Sequence, residues 1–243
     1  MISQALTRAA LPLRRVYYAT GKRPPGLTLL PRRAQSLLGL DDPTAVGSRR
    51  VEIGGGAYSL KGFIHVDIWP YSPHVEYVAP AWDLPFPEDW AEELVAIHSL
   101  EHVSPARLID TLTEWRRVLR PGAPLHISVP NGPVIMDAYG RASLHEKWPL
   151  MGSLLGMYCG PDLRDPRRLT HRADHQIIFD SELLLWAVKE AGFEQVEDRT
   201  GVESDRHTQA WAPIAAPYSL IVRAKAPANS RVPPEHGANR TTA

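Results

Sequence analysis

The chain has 243 residues, enough for one large domain or two small ones with a real core. Lys plus Arg and Asp plus Glu both number 27, so no overall basic field draws nucleic acid or anionic lipid, and no nucleic-acid partner is expected. The one cysteine, Cys159, excludes an intramolecular disulfide framework and fits a cytoplasmic protein. No stretch approaches the roughly 18 to 20 apolar residues of a membrane span.

Residues 1–48 read as an N-terminal helical extension with no chemistry of its own. Met1 to Lys22 is mildly amphipathic and basic, with Arg8, Arg14 and Arg15. Arg8 and Pro12 interrupt the continuous apolar centre that a secretory signal needs, which favours a helix packed on or capping the main domain. A Pro- and Gly-rich joint from Gly21 to Gly26 precedes a second helical segment around Arg32 to Leu40, closed by Asp41, Asp42 and Pro43.

From Arg50 the pattern changes to short β-like runs separated by helical stretches. Val51–Ile53, Phe63–Ile68, Val75–Val78, Glu93–Ile97 and Leu125–Val129 are candidate strands, the third being weak. Between the fourth and fifth, Ser104 suits an N-cap and Pro105 a first helical position. Leu108, Leu112, Trp115 and Leu119 then form one apolar stripe, stopped by Pro121-Gly122. Gly132–Gln176 is dense in Gly, Pro, His, Tyr and Arg, but its Tyr139, Trp148, Leu154, Leu155 and Tyr158 argue for a folded insert or lid. Asp180 or Ser181 caps a helix through Ala191 that ends at Gly192. Phe193–Arg199 and Tyr218–Lys225 are two more strands, and the tail 226–243 has the composition of a disordered segment. Strands alternating with helices argue an α/β domain over residues 49–225 with a mostly parallel sheet.

Val51–Asp67 is the stretch with the most chemistry. An apolar run ends in Gly54-Gly55-Gly56, and a second ends in Asp67. Glycines let a backbone approach a ligand, and a carboxylate at the next strand end accepts hydrogen bonds from a ribose diol. A full dinucleotide fingerprint would place another glycine where Ser59 stands, and the acidic residue follows too soon, so an ordinary NAD site is disfavoured. Only about eight residues separate the glycines from the second strand, where a parallel crossover usually takes a dozen or more. The first connecting helix must therefore be very short or missing.

Downstream come Asp83-Leu84-Pro85-Phe86-Pro87, Ile97-His98-Ser99-Leu100-Glu101-His102-Val103, Trp115 to Gly122, Ile127 to Asn131 and Lys189 to Phe193. This series in this order resembles the class I S-adenosylmethionine-dependent methyltransferases. Within them it resembles the group with a short glycine-loop connection that methylates sugars and polysaccharides, including actinobacterial enzymes for methylated mannose polysaccharides. The resemblance implies a Rossmann-like, mostly parallel seven-stranded sheet with helices on both faces and the last strand antiparallel. It implies that Glu52, Gly54, Gly55 and Gly56 surround the methionine moiety, that Asp67 binds the ribose and that Ile68 lies against the adenine. Asp83 would accept from the adenine amino group beside Trp82 or Leu84, and His98 and Ser99 would face the reacting methyl. The chain departs from the group at Trp90-Ala91-Glu92-Glu93, where Phe-Asp is common; this blurs a strand boundary, not the site.

His98-x-x-Glu101-His102 shares its letters with inverted zinc proteases, but there the motif lies inside a long helix, whereas here a strand precedes it and Pro105 follows. A divalent ion such as magnesium, held by Glu101 and His102 near the methyl donor, resembles some class I O-methyltransferases, quinone-biosynthesis ones among them. The plainer expectation, which we prefer, is that both residues brace the turn by hydrogen bonds. The insert supplies His145, beside Glu146 and Trp148, as first choice for the general base, since an alkyl hydroxyl is a poor nucleophile until it loses a proton. Asp137, Tyr139, Trp148, His171, Asp174 and His175 are the substrate-side candidates.

The function expected is O-methylation of a saccharide hydroxyl with S-adenosylmethionine. The alternatives are a quinone or other aromatic acceptor, for which the insert is too rich in His and Arg, and a catalytically silent cofactor-binding domain. A homodimer is one assembly the sequence allows.

Overall fold

The computed structural model describes residues 47–54, 60–68, 75–156, 175–201 and 218–228. The expected N-terminal extension and C-terminal tail lie outside these residues, except for their edges.

Parallel strands β1 (Arg50–Ile53), β2 (Ile64–Asp67), β3 (Tyr77–Val78), β4 (Glu93–Ile97) and β5 (Pro124–Pro130) are followed by β6 (Glu194–Asp198) and β7 (Ser219–Lys225). They form one seven-stranded sheet in the order β3-β2-β1-β4-β5-β7-β6, with β7 antiparallel to both its neighbours. The crossover from β1 to the adjacent parallel β2 is only residues 54–63, the short connection expected from the sequence.

Strand alternation sorts the sheet into two unlike faces. Val51 and Ile53, Ile64 and Val66, Leu94 and Ala96, and Leu125, Ile127 and Val129 point into the main core. Helices α1 (Leu108–Val118) and α4 (Ser181–Glu190) close that face. In α1 the buried residues Leu108, Thr111, Leu112, Trp115 and Val118 recur at helical spacing, so one stripe meets the sheet. The indole of Trp115 is fully buried and donates to the Ala81 carbonyl at 2.9 Å, which ties α1 to the loop after β3.

The opposite face is more polar. Glu52, His65, Val95, His126 and Arg223 stand in one register row across it. Its apolar cluster is small: Leu60, Phe63, Val95 and Ile97.

One departure from the sequence reading concerns the helix after β4. Ser104 and Pro105 open a 3-10 turn, Pro105–Arg107, and the α-helix proper starts at Leu108. The insert begins as two ordered helices, α2 (Gly132–Arg141) and α3 (Leu144–Leu155), packed on each other. At the start of α4, Asp180 rather than Ser181 is the cap, accepting from Leu183 N–H at 2.7 Å.

Candidate functional site

In an open parallel sheet, ligands bind beyond the carboxyl ends of the strands, where neighbouring crossovers leave in opposite directions. Here that point lies between β1 and β4, which are sheet neighbours although β2 and β3 follow β1 in sequence. Gly54 leaves β1 with φ +73°, and its N–H donates to the Val66 carbonyl at 2.8 Å. A Cβ on Gly54 would stand 2.3 Å from the Ser99 Cβ, so the first glycine and the turn after β4 touch at backbone level. Gly55 and Gly56 lie outside the described residues.

Several polar groups converge on this edge. Glu52 is fully buried; its Oε2 accepts from Leu60 N–H at 2.9 Å and contacts His65 Nδ1. Its Oε1 has no hydrogen-bond partner among the described residues, nor has the buried Ser99 Oγ. Asp67 ends β2 almost fully buried, with Ile68 half-buried beside it. Orphaned buried polar atoms cost about 1–3 kcal/mol each when nothing satisfies them, so their convergence marks a place prepared for a polar ligand.

Beyond β4 the chain turns sharply through His98, which holds φ +49°. A side chain in this region costs about 1–2 kcal/mol, and such strain collects at functional sites. Its N–H donates to the Ser128 carbonyl at 2.8 Å, its Nε2 lies 3.0 Å from Ser219 Oγ, and its Nδ1 lies 3.5 Å from Glu101 Oε1. Glu101 is fully buried in the 3-10 turn Leu100–His102. The same Oε1 is 3.6 Å from His175 Nε2 and 4.0 Å from His102 Nε2.

Burial opposes the charge on Glu101, but the His98 contact and the charges of His98, His102 and His175 prevail and hold its pKa below the ordinary carboxylate value. Burial, outweighing the attraction of Glu101, also holds His175 below the ordinary imidazole value. Both folded-state pKa values are depressed, so each group contributes stability that is complete above its unfolded pKa and is lost as pH falls through the folded one. The urea midpoint of chelator-treated protein is therefore expected to fall once pH drops below 6.5, through His175, and further below 4.5, through Glu101. The Glu101→Gln variant should flatten the lower part of that curve; an identical acid dependence in variant and parent would remove Glu101 as its source.

The strand order decides the architecture, with β1 at the switch point beside β4 and β7 inserted antiparallel between β5 and β6. This is the class I methyltransferase fold. No family sequence model and no curated protein sequence matches the chain. Among solved structures, it is similar to an S-adenosylmethionine-dependent methyltransferase from Archaeoglobus fulgidus, at 17% identity over 74% of this chain and 86% of that one, TM-score 0.44. It is also similar to phosphoethanolamine N-methyltransferase 2 of Haemonchus contortus in complex with S-adenosyl-L-methionine, at 13% identity over 76% of this chain and 50% of that one, TM-score 0.43. A third is the [4+2]-cyclase SpnF, at 20% identity over 81% of this chain and 82% of that one, TM-score 0.43. The chain thus spans half the length of the Haemonchus protein. These superpositions are loose, and the fold stands on the strand order itself.

Within the methyltransferase fold the loop after β3 carries Trp82, Asp83 and Leu84. Leu84 points into the core, whereas Trp82 is half-buried with the Arg107 guanidinium 4.9 Å above its ring. Of the two apolar neighbours considered for Asp83, Trp82 is thus the one that stays partly exposed. The Leu84 N–H donates to Glu114 at 2.8 Å, which fixes this loop to α1.

The insert residues divide. His171 and Asp174 lie outside the described residues. His145 is exposed in the first turn of α3, and Glu146 accepts from Ser143 N–H at 2.8 Å and Ser143 Oγ at 2.6 Å as half of a capping box. These contacts lower its pKa and give it a structural task in place of partnering a base. Glu146→Gln should accordingly preserve α3, while Glu146→Ala should fray it, a contrast that amide hydrogen exchange at Leu144–Lys147 would report.

Asp137 pairs with Arg141 in solvent, and Lys147 lies 5.0 Å over the Tyr139 ring. Trp148 is half-buried on α3. Among the described substrate-side candidates, His175 alone is brought to the β4 turn. Its meeting with Glu101, and that of His98 with Ser219, were not seen from sequence, because 74 and 121 residues separate the partners.

Proposed function

We propose that the protein is an S-adenosylmethionine-dependent O-methyltransferase whose acceptor is a saccharide hydroxyl. The observation that carries the cofactor assignment is the switch point: a glycine with no space for a Cβ, an orphaned serine hydroxyl against it and a buried carboxylate at the end of the next strand. A dinucleotide would need a glycine-rich turn opening a helix, and the ten-residue crossover 54–63 is shorter than the dozen or more residues a crossover helix usually takes.

When bound, S-adenosylmethionine supplies an electrophilic methyl group on a sulfonium sulfur. Gly54 would give backbone access to its methionine end, Asp67 would accept from the ribose hydroxyls, and Asp83 with Trp82 would receive the adenine. Methyl transfer breaks the sulfur–carbon bond, forms an oxygen–carbon bond and releases the hydroxyl proton. His98, at the end of β4 beside Ser99, takes that proton in this reading; exposed His145 is the competing candidate. Alignment of the acceptor oxygen with the methyl group provides the larger share of the acceleration.

The saccharide assignment is the finer part and is supported by the polar insert, with Trp148 and Tyr139 as surfaces for a sugar face. Calorimetry with S-adenosylmethionine and S-adenosylhomocysteine tests the cofactor. A mass-spectrometric screen of mono- and disaccharides tests the acceptor, and methylation of only quinones or catechols would replace it. Asp67→Ala should weaken cofactor binding about 10- to 100-fold, the equivalent of one or two lost charged hydrogen bonds. Unchanged affinity would reject Asp67 as the ribose ligand.

A further inference from the structure

Glu101 presents a physical problem that hydrogen bonding does not solve. It is fully buried, yet neither carboxylate oxygen has a hydrogen-bond partner among the described residues. Three imidazole nitrogens surround Oε1 at 3.5, 3.6 and 4.0 Å. Charge-assisted N–H···O⁻ bonds close to about 2.7–2.9 Å, so at these separations the three rings make only long contacts with the carboxylate and none closes to a charge-assisted bond.

The tautomer of His175 sharpens the point. Its Nδ1 lies 3.1 Å from the Leu154 carbonyl, which can only accept, so Nδ1 carries the hydrogen. In the neutral ring Nε2 then directs a lone pair at the carboxylate. Two electron-rich atoms facing each other in a buried place call for a cation between them. A backbone carbonyl fixing the far ring nitrogen is also the second-shell arrangement of metal-ligating histidines.

We infer that Glu101, His102 and His175 form a binding site for one divalent transition-metal ion. One ligand atom from each lies within 4.8 Å of the other two. Donors about 2.1 Å from a tetrahedral ion are about 3.4 Å apart; the 3.6 and 4.0 Å separations from Glu101 are near that spacing, while the two imidazole nitrogens, within 4.8 Å of each other, would have to draw together to close on an ion.

The site is built before a metal arrives. Gln176 and Ile177 N–H both donate to the Glu101 carbonyl, at 2.7 and 3.2 Å, and the Gln176 amide donates to the His102 carbonyl at 2.9 Å. These bonds staple the segment carrying His175 to the turn carrying the other two ligands.

The donor set also selects the ion. Two imidazoles and one carboxylate suit zinc, manganese, iron or cobalt, and leave coordination positions open. Magnesium takes oxygen ligands in near-ideal octahedral geometry and would be bound poorly here. This differs both from the hydrogen-bonded turn preferred on the sequence and from the magnesium ion weighed as its alternative.

The turn holding the site follows β4 directly, and its Ser99 packs against Gly54. Given the methyl-transfer reading, which this role rests on, an open metal position would take the acceptor oxygen and lower the pKa of its hydroxyl. The proton leaves to His98, and the metal keeps its oxidation state throughout.

The test separates the two readings. Full-length protein stripped with chelator is titrated calorimetrically with zinc, manganese, cobalt and magnesium, without any methyl donor. Expected are one equivalent of a transition ion bound, tetrahedral or five-coordinate cobalt absorption, and no comparable magnesium binding. His102→Ala and His175→Ala should each weaken binding by at least about 100-fold, beyond the 10- to 100-fold that outer-shell changes cost. Circular dichroism checks that each variant folds, and Glu101→Gln is the third arm. S-adenosylhomocysteine affinity is measured in parallel on the stripped protein, so loss of the cofactor reading leaves the metal result standing. Absence of transition-ion binding, or binding that survives both histidine variants, overturns the site.

Discussion

Replacing Gly54 by alanine is expected to abolish cofactor binding and to lower the melting temperature. Two independent penalties meet there. The residue holds φ +73°, where a side chain costs about 1–2 kcal/mol. That alone corresponds to a fall of roughly 2–8 °C for a chain of this size. The added Cβ would also sit 2.3 Å from the Ser99 Cβ, closer than any real contact, and the obstacle is the base of a side chain that cannot swing aside. Either the glycine loop or the β4 turn must move, and both line the proposed cofactor site. Affinity for S-adenosylhomocysteine should drop at least about 100-fold, since two strand ends are displaced at once. The companion variant Gly54→Ala/Ser99→Gly removes the clash and leaves the backbone penalty, so it should recover much of the affinity and little of the melting temperature. An unchanged affinity in Gly54→Ala would disprove close packing at the switch point.

His98→Asn should reduce methyl transfer about 10²- to 10⁴-fold while leaving cofactor affinity near its original value, the usual effect of losing a general base. Asparagine is chosen because it tolerates the left-handed backbone that His98 adopts, so the loss reads chemistry and not strain. Ring Nε2 lies 3.0 Å from Ser219 Oγ, which fixes the orientation of the imidazole, and Nδ1 lies 3.5 Å from Glu101. Single-turnover methyl transfer, which excludes product release, should show the full loss in the variant. His145→Asn measured beside it should show the smaller loss, because that ring is exposed on α3 and its neighbour Glu146 is engaged in the helix cap. A larger loss in His145→Asn than in His98→Asn would transfer the base to the insert.

The strands and α1 were legible because their patterns are local. Val51–Ile53, Glu93–Ile97 and Leu125–Val129 are short apolar runs between turn residues, and each is a strand to within a residue or two. The stripe Leu108, Leu112, Trp115 and Leu119 is fixed by helical period and reappears as the buried side of α1 and its end. The capping role of Glu146 was also written locally, as Ser143 followed three residues later by Glu, but proximity to His145 suggested catalysis instead. Gly132–Arg141 hid its helix behind two opening residues, Gly132 and Pro133, that read as loop; Asn131 caps it.

The sequence by itself determined the α/β alternation, the short first crossover and the glycine–carboxylate pair at the ends of the first two strands. Each follows from hydrophobic period or from a spacing of a few residues, information carried within one stretch of chain. Only the tertiary structure decided that the Glu101 carboxylate is buried with no hydrogen-bond partner among the described residues, that His175 faces it and that His98 reaches Ser219. Those meetings depend on which strand ends share an edge of the sheet and on how the returning segment is stapled there. Chain separation carries no trace of such distances, and burial is what sets the Glu101 carboxylate apart from an ordinary solvated one.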